Sequence, residues 1–104
     1  LKREQEADLQ IDEVAPGASL RVELEGLPPL AVFNLEGGFY VINDTCSHGE
    51  ASLCEGEIED GQVECPWHNA KFCIKSGKAL TFPAVEPQRT YIVAVEDGTV
   101  FLVE

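Results

Sequence analysis

Methionine is missing altogether from the 104 residues, and histidine nearly so, occurring as His48 and His68 alone. Without methionine, the expectation is an initiator that was removed or lies outside this stretch. Basic residues are scarce: 7 Lys and Arg stand against 19 Asp and Glu, a formal net charge of −12. That imbalance excludes nucleic acid and anionic membrane surfaces as partners, since both would repel the chain. Its natural complement is a basic patch on another protein, with charge steering a weak encounter; part of the excess serves solubility alone. Long apolar runs are lacking too. Nothing approaches the ~18 apolar residues that a membrane-spanning helix needs, and Leu1-Lys2-Arg3-Glu4 has no apolar signal-peptide core. A cytoplasmic chain with no membrane contact is expected. No segment keeps a 3.6-residue period and no repeat or low-complexity tract occurs. One all-β domain follows at this length.

What is present reads as short strands separated by turn residues. Leu1 to Asp8 is highly charged and begins as a loose strand or arm, and Leu9 to Val14 forms a short turn closed by Pro16-Gly17. Leu20 to Glu25 alternates apolar and charged residues, so it predicts a strand with one buried face. Gly26 and Pro28-Pro29 end it. Leu30 to Leu35 and Phe39 to Ile42 flank Glu36-Gly37-Gly38 as a hairpin. Asp60-Gly61 turns a second hairpin between Glu57-Ile58-Glu59 and Gln62-Val63-Glu64. Lys71 to Ile74 resumes strand character before Lys75 to Lys78 turns it. Thr90 to Val95 and Thr99 to Val103, around Glu96-Asp97-Gly98, make the clearest hairpin, which should return to pair with strands of the first half.

The chemistry-bearing residues cluster between these elements. Cys46-Ser47-His48 is followed, sixteen residues later, by Cys65-Pro66-Trp67-His68. Two soft thiols and both imidazoles of the chain thus arrive as a matched set, which suits zinc or iron. Zinc sites usually show C-x-x-C, for which C-x-H is atypical. Pro66 restricts Cys65 to extended geometry. Trp67 reads as shielding the centre or lying against its loop, with contact to a partner as the alternative. The remaining thiols, Cys54 and Cys73, belong to no motif and read as free and buried rather than disulfide-bonded.

The pattern C-x-H, then C-x-x-H, resembles that of Rieske [2Fe–2S] proteins, in particular the small ferredoxins of bacterial multicomponent aromatic-ring dioxygenases. The resemblance is strongest from Asn43 to Lys78. It implies that Cys46 and Cys65 hold one iron and His48 and His68 the other, the imidazoles through Nδ1. Two neutral ligands in place of two thiolates leave the cluster less negative and easier to reduce. The family's fold is a set of stacked antiparallel sheets, with a cluster-binding part (about residues 43–82) inserted in a basal part (about 1–42 and 83–104). A proline-bearing segment covers the cluster in that family, a place matched by Phe82-Pro83-Ala84. Respiratory relatives carry a disulfide where Ala51 and Trp67 stand, and hydroxyl donors where Ala70 and Phe72 stand. Fewer donors to the cluster place its potential toward the low end of the Rieske range, roughly −150 mV. Asn69 departs from the glycine often found after the second histidine.

The function so implied is one-electron transfer from a flavin-dependent NAD(P)H reductase to a terminal Rieske oxygenase. Catalysis is not expected: a mononuclear iron site of two His and one carboxylate would need histidines this chain does not have. The alternatives are a small Rieske-type subunit of a nitrite-reductase-like enzyme and a zinc-stabilised interaction module.

Overall fold

In the computed structural model the described residues are 3–10, 13–23, 26–35, 38–47, 51–67, 69–81, 86–96 and 98–103; for 3–10 and 101–103 the strand pairing alone is described. Of the sequence readings above, those on Leu1-Lys2, Ile11-Asp12, Leu24-Glu25, the Glu36-Gly37 turn, Phe82-Pro83-Ala84 and Asp97 fall outside them. The strands are β1 (Arg3–Gln10), β2 (Ser19–Val22), β3 (Leu30–Leu35), β4 (Gly38–Asn43), β5 (Ile58–Glu59), β6 (Gln62–Glu64), β7 (Lys71–Cys73), β8 (Thr90–Glu96) and β9 (Thr99–Val103). A 3-10 turn, Leu53–Glu55, lies between β4 and β5. Pairing is antiparallel throughout, in a six-stranded sheet ordered β1-β9-β8-β4-β3-β2 and a three-stranded sheet ordered β5-β6-β7. The all-β antiparallel expectation holds. The last hairpin returns as expected, β8 onto β4 and β9 onto β1.

The charged N-terminal arm is a full strand rather than a loose one. β1 pairs with β9 across register shifts at Arg3/Gln5 and Glu6/Leu9. It lies at the edge of the large sheet, where charged side chains are tolerated and discourage further pairing. Leu9 and Gln10 belong to this strand, so the turn expected from Leu9 starts later; its Val14 is 2% exposed and sits in the core.

The β3–β4 hairpin is buried on both faces, which positions everything else. Ala31 pairs with Ile42 and Phe33 with Tyr40; these four face a core shared with Leu53, Val63, Phe72 and Ile74. Leu30, Val32 and Val41, pointing the other way, pack with Val14 and Val100 inside the curl of the large sheet. Alternation with period two thus feeds two cores from one strand pair. The small sheet adds one face to the first core: Ile58 pairs with Val63 and Val63 with Phe72. Burying a side chain such as Phe72 contributes about 1.5–3 kcal/mol. Within β3, Asn34 is buried and donates from Nδ2 to the Val14 carbonyl at 2.8 Å, fastening the turn ahead of β2. Asp60 and Gly61 both have positive φ, 52° and 74°, as a two-residue type I′ hairpin requires.

Candidate metal centre

Two loops leave the sheets at equivalent points. The first spans residues 46–51 and is closed by the Thr45↔Ser52 bridge; the second spans 65–70 and is closed by the Glu64↔Lys71 pair. Each opens on a cysteine and ends on an alanine. In each the cysteine N–H donates to the alanine carbonyl, Cys46 to Ala51 at 2.9 Å and Cys65 to Ala70 at 2.7 Å. All four residues are at most 2% exposed and belong to the core that β3, β4 and the small sheet share. Alanine fits the closing position because this corner has no spare volume. The fold therefore brings Cys46 and Cys65 into one buried cluster from matching places in two six-residue loops. His48 and His68 lie outside the described residues.

Asn69 follows His68 with φ 59°, in the left-handed region, and its N–H donates to the Cys65 carbonyl at 3.0 Å. Asparagine enters that region more readily than other side chains bearing a Cβ, so it can serve where a glycine is usual. Trp67 is 63% exposed and neighbours Pro66, also exposed, so its ring lies outside the buried side of its loop. Ala70 and Phe72 already fill that side, and the turn residues are pushed outward.

Sequence reasoning missed the polar anchors at the roots of these loops. Asp44 is 2% exposed; its Oδ2 accepts from Ser52 Oγ at 2.6 Å and its Oδ1 from the Cys54 N–H at 2.9 Å. Arg21 Nε lies 3.6 Å from the same carboxylate. Gln88 is 5% exposed and donates from Nε2 to the Asn43 and Thr45 carbonyls, each at 2.8 Å. The one available signal was the run Asp44-Thr45-Cys46, since a short carboxylate beside a turn commonly accepts nearby N–H groups. Nothing local marked Gln88.

The chain after β7 doubles back along it. Ala79 bridges Phe72, the Leu80 N–H donates to the Lys71 carbonyl at 2.8 Å, and the Lys71 N–H donates to Thr81 Oγ1 at 2.8 Å. On the far side of residues 82–85, the Glu86 carbonyl accepts from Ser47 Oγ at 2.7 Å. Thr81 is thus tied beside the second loop and Glu86 to the first.

The two spare thiols have different surroundings. None of the four cysteines is in a disulfide. Cys54 and Cys73 are half-buried rather than buried, since each lies where an element meets solvent. Burial pushes the Cys54 thiol up, opposed by the Ser52 hydroxyl at 3.1 Å, while Asp44 and Glu55 add to the rise. A hydrogen bond from Ser76 pulls the Cys73 thiol down against a smaller effect of burial. Four of the acidic residues, Glu57, Glu59, Asp60 and Glu64, line one groove on the small sheet, with Gln62 and Lys71.

The donor set fits a centre with thiolate and imidazole ligands. Two buried, unbridged thiols stand at like positions, and each loop carries one histidine two or three residues on. Comparison with known proteins identifies that centre more closely. Residues 5–92 match the family model of the Rieske [2Fe-2S] domain. The chain is 50% identical over 93 residues to the 3-phenylpropionate/cinnamic acid dioxygenase ferredoxin subunit of Escherichia coli O139:H28, covering 88% of this chain and 86% of that one. Its fold superimposes on the ferredoxin of Sphingomonas yanoikuyae B1 with a TM-score of 0.90 at 35% identity, covering 99% of both. It also superimposes on the ferredoxin in a complex of reduced oxygenase and oxidized ferredoxin of carbazole 1,9a-dioxygenase: TM-score 0.86, 35% identity, 90% of this chain and 96% of that one.

Proposed function

This chain belongs to the Rieske [2Fe–2S] domain family, and from that premise we propose that it is the ferredoxin of an aromatic-ring dioxygenase system, a one-electron carrier. Its cofactor is one Rieske-type [2Fe–2S] cluster, which when bound supplies a reversible one-electron couple. For ligands we propose Cys46 and Cys65 on one iron and His48 and His68 on the other. The observation that carries this reading is the pair of matched loops, each opening on a cysteine at most 2% exposed. Two buried thiols exclude water from the sulfur side, and bracing of each cysteine N–H to an alanine carbonyl fixes where the sulfur starts. The core side is filled by Ala51, Leu53, Ala70 and Phe72, so access is left to the loop tips.

Iron and sulfide analysis with an EPR spectrum of the reduced protein tests the reading. A chain with two irons, two sulfides and a Rieske-type signal supports it. A colourless chain holding zinc overturns it, because zinc has no redox chemistry. We further expect a midpoint toward roughly −150 mV, as the Ala70 and Phe72 positions offer no hydroxyl; a strongly positive midpoint in potentiometric titration would contradict this.

We propose a flavin-dependent ferredoxin reductase as the electron donor and a terminal Rieske oxygenase as the acceptor. The histidine-bearing loop tips are the exit point in this reading, and the chain itself catalyses nothing. A cytoplasmic setting belongs to the same proposal; no helix among the described residues is long and apolar enough to cross a membrane. So does a division into a cluster-binding part, about residues 43–82, carried on a basal part. The nitrite-reductase-like alternative is not favoured, given the identity to a dioxygenase ferredoxin subunit. With a net charge of −12, charge steering should govern the encounter with a basic partner. Stopped-flow rates of oxygenase reduction are expected to fall on the order of tenfold as ionic strength approaches 1 M, where charges more than ~3 Å apart are screened. Rates flat in salt would show that the acid excess serves solubility alone.

A further inference from the structure

Each cysteine loop is braced internally, yet neither internal bond sets its distance from the other loop. Packing in the common core holds the two near one another, but such packing is non-directional. Hydrogen bonds are directional, and one residue supplies them to both sides. Gln88 Nε2 carries two hydrogens, and both are used, on the Asn43 and Thr45 carbonyls at 2.8 Å each. Those carbonyls flank Asp44, immediately ahead of Cys46. The Gln88 backbone N–H donates to the Gly77 carbonyl at 2.7 Å, and the Gly77 N–H donates to the Cys73 carbonyl at 2.7 Å. Cys73 lies in β7, whose Lys71 closes the second loop by pairing with Glu64. The approach at Gly77 is too close to admit a Cβ against the Gln88 carbonyl. One residue is thus bonded through its side chain to the root of the first loop and through its backbone to the turn that continues the second.

We infer that Gln88 is a positioning residue for the metal centre, setting the separation of the Cys46 loop from the Cys65 loop. The inference rests on the ligand assignment proposed above. The Gln88 side chain bonds the Asn43 and Thr45 carbonyls, and its effect on the centre runs through them. A carboxamide is suited to the task because it satisfies two acceptors from one atom, and a buried carbonyl left without its donor is costly.

Gln88→Met keeps volume and removes both donors; Gln88→Asn keeps the donors but draws them back by one methylene. Asn34→Ala is the comparison, since it removes an equally buried amide donor from the basal core. Holoproteins of all three and the wild type would be compared by reduced-state EPR, midpoint potential, rate of iron release to a chelator, and thermal melting. Both Gln88 variants are expected to show displaced or broadened EPR lines, a shifted midpoint and iron release about 10-fold faster, the usual size of an effect one step removed from the ligands. Asn34→Ala should melt earlier with its EPR lines and midpoint unchanged. If a folded Gln88 variant melts earlier but keeps wild-type lines, midpoint and release rate, Gln88 is structural and the inference fails. A wild-type chain with no Rieske signal would overturn the ligand assignment and this inference together.

Discussion

Chains carrying Cys46→Ser or Cys65→Ser should purify colourless and hold less than one iron in ten of the wild-type load, an order-of-magnitude loss or more. The reason lies in the donor atom. A thiol ionises near pH 8–9 and readily gives the thiolate that iron requires, whereas a serine hydroxyl does not ionise in that range. Both positions are at most 2% exposed, so no exogenous ligand can reach in to substitute. The fold itself should survive, at a cost of about 1–3 kcal/mol for burying a hydroxyl beside apolar neighbours. Circular dichroism should still report β-structure. Cys54→Ser and Cys73→Ser are the informative contrast. Their thiols are half-buried and lie outside the two loops, so colour, iron content and EPR signal should match wild type. Iron lost equally on all four substitutions would show that the loops are not where the metal sits.

Gly77→Ala should be strongly damaging although it lies away from the proposed ligands. Gly77 has φ 75°, a conformation that costs a residue with a Cβ about 1–2 kcal/mol. The added Cβ would also collide with the Gln88 carbonyl and lie 2.9 Å from Thr90 Cγ2. Since backbone is the nearer obstacle, relief demands moving Gln88 itself, at a further ~1–3 kcal/mol. A total of about 2–5 kcal/mol corresponds to a melting temperature lower by roughly 8–40 °C for a domain of this size. Gly61→Ala separates the two contributions. Its φ is 74°, but nothing lies within 4 Å of the position a Cβ would occupy. It should lower the melting temperature by no more than roughly 5–15 °C, the strain alone. Equal losses in thermal denaturation for the two variants would show that the Gln88 contact is not tight.

How far the sequence was legible depended on the range over which each feature is decided. The Asp60-Gly61 hairpin and the Glu96 to Gly98 hairpin are set by neighbouring residues, and both form where local turn chemistry places them. The Rieske resemblance was legible because residue type and spacing carry it, and residues 5–92 match that family's model. The strand at Arg3–Gln10 was not, because what orders so charged a segment is β9, nearly the whole chain away. Leu30 to Leu35 was legible as a strand, but its burial on both faces was not; an apolar run does not say what will cover each side. Asp44 and Gln88 share this limitation. A polar residue becomes an anchor through the groups folding sets opposite it, and those of Gln88 are 43 and 45 residues away.

The two-faced β3–β4 hairpin ties the evolutionary histories of the two halves together. Ala31, Phe33 and Ile42 pack in the core that holds Cys46 and Cys65 while Leu30, Val32 and Val41 pack inside the curl of the large sheet, so a change of bulk on either displaces strands that both rely on. Drift inside the curl of the large sheet is therefore filtered by what the two cysteine loops will tolerate. Retuning those loops for a new redox partner would in turn call for compensating substitutions in residues that never meet that partner.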